Sequence, residues 1–435
     1  MSSFSPVSAD DWWKAIRKEL KGKPEEELFT TWFDGLTTPP FHSWEDARPS
    51  SPLFPSYAWH ASAMAEPPQL QRAAMAALNR GADGLRLKVE DHQALHKDLA
   101  AVQLAYLRTE VCPENLEGKW LDEWAATLQE QALQGSESNT ALGLDLLDQM
   151  AFKSAFHLNL KSHCQSIGAI HQRKLFRHSQ LVNTCRFQNA GARIDTQLGI
   201  ALAAAHEYLV QGEWSDASLL HFRFAVGRDY LPEIAKLRAF RELWPLFLEE
   251  LKLPNTAPVF ITAENSFRPL SATDPHTNLL RLTTMAMSAV LGGAQNVLLH
   301  HHAIGQPLPK EEHLPLNILH LIRFEGRLDQ VEDPLAGSYS VEALTQQIAE
   351  KGWEAFQKIE KQGGLLRSLE EGSLQQQIAE EAEAEQARFN AGQAPIIGSS
   401  IYPYHLPNYS EKEKTSASPE AFPLRRLAEL AEQTH

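Results

Sequence analysis

Cys185 and Arg186 stand side by side where an apolar run, Leu181 to Phe187, stops and the chain turns through Gly191 toward a helical stripe. The end of a strand that feeds a helix is where α/β proteins commonly hold reactive side chains. A thiol beside a guanidinium is chemically usable, because the cation favours the thiolate. Nucleophilic catalysis also needs a base, and Asn183 to Ala192 contains no histidine and no carboxylate. The pair therefore reads as a packed, structural Cys-Arg.

Three further features carry ligand chemistry in their residue types. His300-His301-His302, with His313 and His320 nearby, is the most metal-like. Consecutive residues on a strand point to alternate sides, so the three cannot share one ion. No H-E-x-x-H or local His-plus-carboxylate spacing accompanies them, so they read as surface or mouth histidines and no metal is expected. Gly292-Gly293 lacks both phosphate-binding glycine patterns and reads as a helix stop. Trp12-Trp13 reads as an anchor that packs its helix onto a neighbour.

The elements that position these residues follow from hydrophobic period. Short apolar or alternating runs, "GLRLKV" (84–89), "VQLAYL" (102–107), "LGLDLL" (142–147), "LVNTCRF" (181–187), "HFRFAV" (221–226), "APVFITA" (257–263) and "QNVLLHH" (295–301), alternate with helical stretches. Ile194, Leu198, Leu202, Ala205 and Leu209 share a helical stripe, and Asp274-Pro275 marks a helix start. Repeated β-then-α units imply a parallel sheet, and this many of them suit a closed (β/α)8 TIM barrel; an open doubly wound sheet is the alternative. The expected organisation is an N-terminal helix and Pro/Ser-rich arm over 1–54, the barrel over 55–340, a helical extension over 341–392 and a tail over 393–435. Ser8 and the acids at 10 and 11 cap the first helix.

Composition narrows the class. Of 435 residues 43% are hydrophobic and 22% charged, and no apolar run reaches the roughly 18 residues that span a bilayer. Lys and Arg number 40 against 55 Asp and Glu, a formal charge of -15 without a basic stripe, which disfavours a nucleic-acid partner. Cys112, Cys164 and Cys185 are scattered, so neither a disulfide framework nor a cysteine metal site is expected. The N-terminus shows no secretory pattern, and the expected location is cytoplasmic.

Four stretches in order, "FQNAGARIDTQL" (187–198), "EIAKLRAFRELW" (233–244), "DPHTNLLRLTTMAMSAVLGGAQNV" (274–297) and "DPLAGSYSVEALT" (333–345), resemble the barrel domain of the methylmalonyl-CoA mutase family, whose chemistry is adenosylcobalamin-dependent. The N-terminal "DDWWKAIRKELKGKPEEELFTTWFDGL" is similar to the start of the family's small, non-catalytic subunits. The resemblance implies that Thr184 to Ala192 occupies the place of G-Y-H-M-Q-E-A-G-A in active chains. There the tyrosine packs over the radical centre and the histidine hydrogen-bonds the thioester carbonyl. Here Cys185, Arg186 and Asn189 replace the Tyr, His and Glu. A permanent guanidinium cannot stand in for an adjustable imidazole.

Other departures agree. The CoA-contacting R-G-x-Y-x-x-M-Y-R has no counterpart in "PPFHSWEDARPSSPLFPSYAW", and R-I-A-R-N aligns with His313 to Asn317, although the following glutamate is kept as Glu325. D-x-H-x-x-G, the cobalt-ligating motif, does not occur. The resemblance thus implies no catalytic residues, no cofactor bound by this chain, and a large catalytic subunit as the partner that carries adenosylcobalamin. The barrel axis is expected to be closed by bulky side chains, with Leu85, Leu87, Tyr106, Leu144 and Phe187 as candidates. Two rival readings are a mutase barrel that borrows a separate cobalamin subunit, and a free-standing acyl-CoA binding module or homodimer.

Overall fold

The structure, a computed structural model, describes residues 7–32, 35–46, 59–66, 70–89, 99, 101–113, 120–131, 139–153, 159–255, 258–304, 308–404 and 422–432. Part of the arm expected between Thr37 and Tyr57, and the polar tail from Ser410 to Ala421, lie outside them. Among the described residues no helix is long and apolar enough to cross a membrane.

Eight parallel strands form one sheet: β1 (His60–Ala65), β2 (Gly84–Val89), β3 (Arg108–Pro113), β4 (Thr140–Leu142), β5 (Gln180–Asn183), β6 (Leu220–Val226), β7 (Ile261–Asn265) and β8 (Asn296–Leu298). Each neighbours the next in sequence, and β8 pairs with β1 through Asn296↔His60. A parallel bridge, Ala141↔His178, joins the ends of β4 and β5 and closes the ring. The architecture is the (β/α)8 barrel.

The sequence reading differs from the structure where composition misled it. β1, "HASAMA", was not anticipated, because small residues carry little apolar signal although half its positions are buried. "VQLAYL" contains a 3-10 turn at Leu104–Tyr106, and the strand begins two residues later, at Arg108. In "LGLDLL" the strand ends at Leu142 and Leu146 already starts a helix; in "LVNTCRF" it ends at Asn183 and Cys185 starts another.

The helices that matter for the site are α1 (Ala9–Leu20), α2 (Leu70–Asn79), α3 (Leu146–Lys153), α4 (Leu160–Gln172), α5 (Cys185–Ala190), α6 (Ile194–Gly212), α7 (Tyr230–Glu250), α8 (Pro275–Leu291), α9 (Leu314–His320), α10 (Tyr339–Lys361) and α11 (Ser373–Asn390). α1 has the capping box that Ser8 and Asp11 imply, yet buries no residue; Trp13 only meets the rings of Phe29 and Phe41. α8 is capped as expected, Asp274 accepting from the Thr277 N–H at 3.2 Å, with Pro275 as its first residue.

α6 is buried on nearly every side rather than along one stripe, because α10 lies along its outer face. A Cβ on Gly199 would fall 2.8 Å from that of Ala355, and one on Gly352 would fall 2.9 Å from that of Leu198, so the two helices approach backbone to backbone. Leu344, Ile348, Phe356 and Ile359 of α10 belong to the same hydrophobic core as the barrel.

Candidate functional site

Register fixes which side chains point into the barrel. Arg86 alternates with Leu85 and Leu87, so when Arg86 points inward both leucines face the helices. The inward set includes Ser62 of β1, Arg86 of β2, Glu110 of β3, Arg223 of β6, Glu264 of β7 and Asn296 of β8.

Across the axis these charges meet. Arg86 Nε donates to Glu110 Oε2 at 2.6 Å, and its Nη1 lies 2.6 Å from Glu264 Oε1. Arg223 pairs with Glu110 through Nη2 and stands 3.0 Å from Glu264 Oε1 through Nε. His300 Nε2 approaches the other Glu264 oxygen at 2.7 Å. All four charged residues are buried. Strands β2 and β3 lie across the barrel from β6 and β7, so these contacts span the lumen. A Cβ on Gly143 would come within 2.4 Å of Cys112 Sγ and 2.9 Å of Glu110 Cγ, so the long side chains occupy space that glycine leaves.

The electrostatics balance. Burial works to protonate Glu110, but Arg223 and Arg86 outweigh it and hold the carboxyl down to about 2. Burial likewise opposes ionisation of Glu264, and the same two cations depress it further still. Two anions and two cations alternate around the axis. A buried set of this kind is costly to desolvate, and its value depends on every member being paired.

The expected apolar closure is therefore corrected. Leu85 and Leu87 face outward into the core, Tyr106 is 80% exposed on its 3-10 turn, and Leu144 is buried beyond the end of β4. Phe187 is buried against Phe422, edge to face at 4.9 Å. An ion network rather than bulky apolar groups fills the axis, and its sequence signal was a charge at an alternating position inside otherwise apolar strands.

Cys185 starts α5 above this network and is buried. Burial, reinforced by the charge of Glu264, pushes its thiol well above the ordinary value, so it is not a thiolate. Its N–H donates to Asn183 Oδ1 at 3.2 Å. Arg186 turns to α3 instead: Nε donates to Asp148 at 3.0 Å, and the guanidinium lies 3.7 Å over the Phe152 ring. Asn189 Oδ1 accepts from the Phe267 N–H at 3.0 Å and the Ser266 hydroxyl at 3.2 Å, which ties the loop after β5 to the loop after β7. The three positions adjoin one another in sequence, but their polar groups do not converge on one point.

The segment 422–432 returns to this mouth. Arg425 N–H donates to Asn189 O, Leu427 N–H to Arg268 O, both at 3.0 Å, and Glu432 accepts from the Ser271 hydroxyl at 2.8 Å. Glu325 lies elsewhere. It is exposed at the end of the π-helical turn Leu321–Glu325, in which Arg323 reaches Asp83 at 2.5 Å and stacks over Trp59, at the opposite, N-terminal end of the strands.

The four sequence stretches that carry the family resemblance are joined through α7. Lys236 Nζ donates to Gln197 Oε1 at 3.0 Å, Arg238 pairs with Asp333 and with Glu342 at 2.8 Å, and Arg241 donates to Gly293 O and to Gln295 at 2.8 Å. Each buried cation of one stretch thus fastens one of the other three. Gly191, at φ 119, sits where a Cβ would strike Ala382 of α11 at 2.4 Å.

Comparison with known proteins agrees with this geometry. The chain is 36% identical over 227 residues to the methylmalonyl-CoA mutase of Cereibacter sphaeroides, covering 49% of this chain and 32% of that one. It therefore spans about a third of that relative's length. It is 27% identical to the methylmalonyl-CoA mutase small subunit of Streptomyces virginiae, over 96% of this chain and 74% of that one. With the small subunit of Porphyromonas gingivalis the identity is 28%, over 87% and 66%. Residues 88–434 match the family model described as methylmalonyl-CoA mutase, and the chain belongs to that family.

Proposed function

We propose that this chain is a non-catalytic small subunit of a heterodimeric, adenosylcobalamin-dependent methylmalonyl-CoA mutase, supporting a large subunit that interconverts methylmalonyl-CoA and succinyl-CoA. The observation that carries the reading is the ion network across the axis, Arg86, Glu110, Arg223 and Glu264. An extended CoA arm needs that space. The small-subunit relatives, which align over most of this chain, support the same role.

The residues at the mouth do not fit the family's cofactor or thioester. Cys185 is a buried thiol where a tyrosine ring would be needed, and Arg186 is held by Asp148. No catalytic step is assigned to this chain. α1 offers a surface for the large subunit: it buries nothing in this chain and leaves Trp12 56% exposed. The helix and arm would lie against the partner.

Co-expression with a tagged large subunit from the same host tests the assembly. A stable one-to-one complex, whose activity and cobalamin remain with the large subunit, is the expected result. Isolated chain that binds adenosylcobalamin or isomerises methylmalonyl-CoA, alone or with a separate cobalamin subunit, refutes it.

A further inference from the structure

Three side chains from separate segments bring nitrogen and oxygen donors together beside the barrel mouth. His276 is the second residue of α8, His302 follows β8, and Glu311 closes the short 3-10 turn Pro309–Glu311. Glu311 Oε2 lies 2.9 Å from His302 Nε2 and 3.3 Å from His276 Nε2. One donor atom from each of the three lies within 4.8 Å of the others. Donors bound to zinc at roughly 2.0–2.1 Å in a tetrahedron stand about 3.3 Å from one another. The carboxylate-to-imidazole separations therefore match the edges of such a polyhedron, with one oxygen common to both.

The surroundings hold this set in place. His302 is fully buried, and its ring stacks on His301 at 4.4 Å and against His276 at 6.2 Å between centroids. His276 and Glu311 are partly exposed, with side chains 49% and 30% accessible, so the outward side of the triangle is open. Three protein donors with one free position is an arrangement that zinc accepts. Local spacing could not reveal the set, since its members come from three segments and only His302 belongs to the histidine run.

We propose that His276, His302 and Glu311 form a binding site for a divalent ion of the zinc class, with a fourth position open to water or to a donor from another molecule. Bound there, the ion ties the chain after β8 and the 3-10 turn to the start of α8. Imidazole and carboxylate donors favour zinc, cobalt or nickel over magnesium or calcium.

The test uses the full chain stripped of metal by a chelator. Calorimetric titration with Zn2+ should show one equivalent bound with a dissociation constant of about 10 µM or tighter, and Co2+ should give visible absorption bands of a four-coordinate ion. His276→Ala and Glu311→Gln, both on partly exposed side chains, should each weaken Zn2+ binding by at least about tenfold, by loss of a ligand. Their circular dichroism should remain that of the parent, which separates ligand loss from misfolding. The proposal fails if Zn2+ at about 1 mM does not bind. It also fails if the affinity is unchanged in both variants, which would place the ion on other histidines.

Discussion

Arg186 Nε donates to Asp148 Oδ1 across 3.0 Å, which ties α5 to α3 beside the mouth of the barrel. Asp148 is buried; burial raises its proton affinity and Arg186 pulls the other way. The guanidinium is thus a structural counter-charge with a ring, Phe152, beneath it.

Under the proposed function, an imidazole at position 186 supplies no chemistry. Arg186→His should give no turnover of methylmalonyl-CoA with or without added adenosylcobalamin. It should also lower stability by about 1–3 kcal/mol, since Asp148 loses a charged partner. Urea unfolding beside an acyl-CoA isomerisation assay checks both, and any cofactor-dependent turnover would count against the structural account.

The axis network predicts a sharply non-additive response. Glu264→Gln leaves two buried guanidinium groups with one anion between them and should cost about 3–5 kcal/mol. Replacing Arg86, Glu110, Arg223 and Glu264 together by apolar residues of similar volume should cost less than the single change. Chemical denaturation of the two variants decides it.

Acid sensitivity has a defined origin. Burial lowers His163 and His221 to about 4 and holds His178 well below the ordinary imidazole value. The unfolded chain therefore binds more protons than the folded one between about pH 4 and 6.5. Stability contributed by these neutral histidines is present above pH 6.5 and is lost as pH falls toward 4. Asp145 works in the opposite sense: burial, with Asp148 adding to it, raises it to about 7, so its contribution is lost as pH rises toward 7. His60 and His302 act with these histidines, whereas Asp148, Glu207 and Asp229 act with Asp145. His163→Gln, at a ring that meets Gln180 Oε1 at 2.9 Å, should flatten the slope by up to about 1.4 kcal/mol per pH unit, read from melting temperatures between pH 4 and 7.

The clamp between α7 and the turn before α10 is testable by a double-mutant cycle. Arg238→Met and Asp333→Asn each break a fully buried pair, and each should destabilise by about 3–5 kcal/mol. The double variant should recover part of that sum, with a coupling energy above about 1 kcal/mol. Strict additivity would mean the pair does not join the two segments energetically.

Cys164 and Cys185 should be inert in the folded chain. Burial pushes Cys164 up to about 12 and Cys185 well above its ordinary value, so neither offers a thiolate near neutral pH. Alkylation at pH 8 should leave both unmodified until denaturant is added, as read by mass spectrometry of peptides.

The barrel was legible because its strands and helices keep different hydrophobic periods, and α1 and α8 start where Ser8 and Asp274 indicate. The site was legible only in identity. Cys185, Arg186 and Asn189 share α5, and no sequence signal shows that Arg186 finds Asp148. The closure was misread for a physical reason: a lone Arg or Glu in a short strand looks like an edge or surface charge. Only the pairing of β2, β3, β6 and β7 across a ring makes four such residues mutual partners. The meeting of His276, His302 and Glu311 is likewise a product of topology.

The alternating charges inside the barrel have an evolutionary corollary. A tunnel could be reopened only by removing both arginines and both glutamates, and every intermediate with an odd member strands a charge in a dry interior. Once such a lock has formed, the lineage is held on its side of a stability valley. Under the proposed function, acyl-CoA chemistry is barred less by the side chain at position 186 than by the order in which the substitutions would have to arrive.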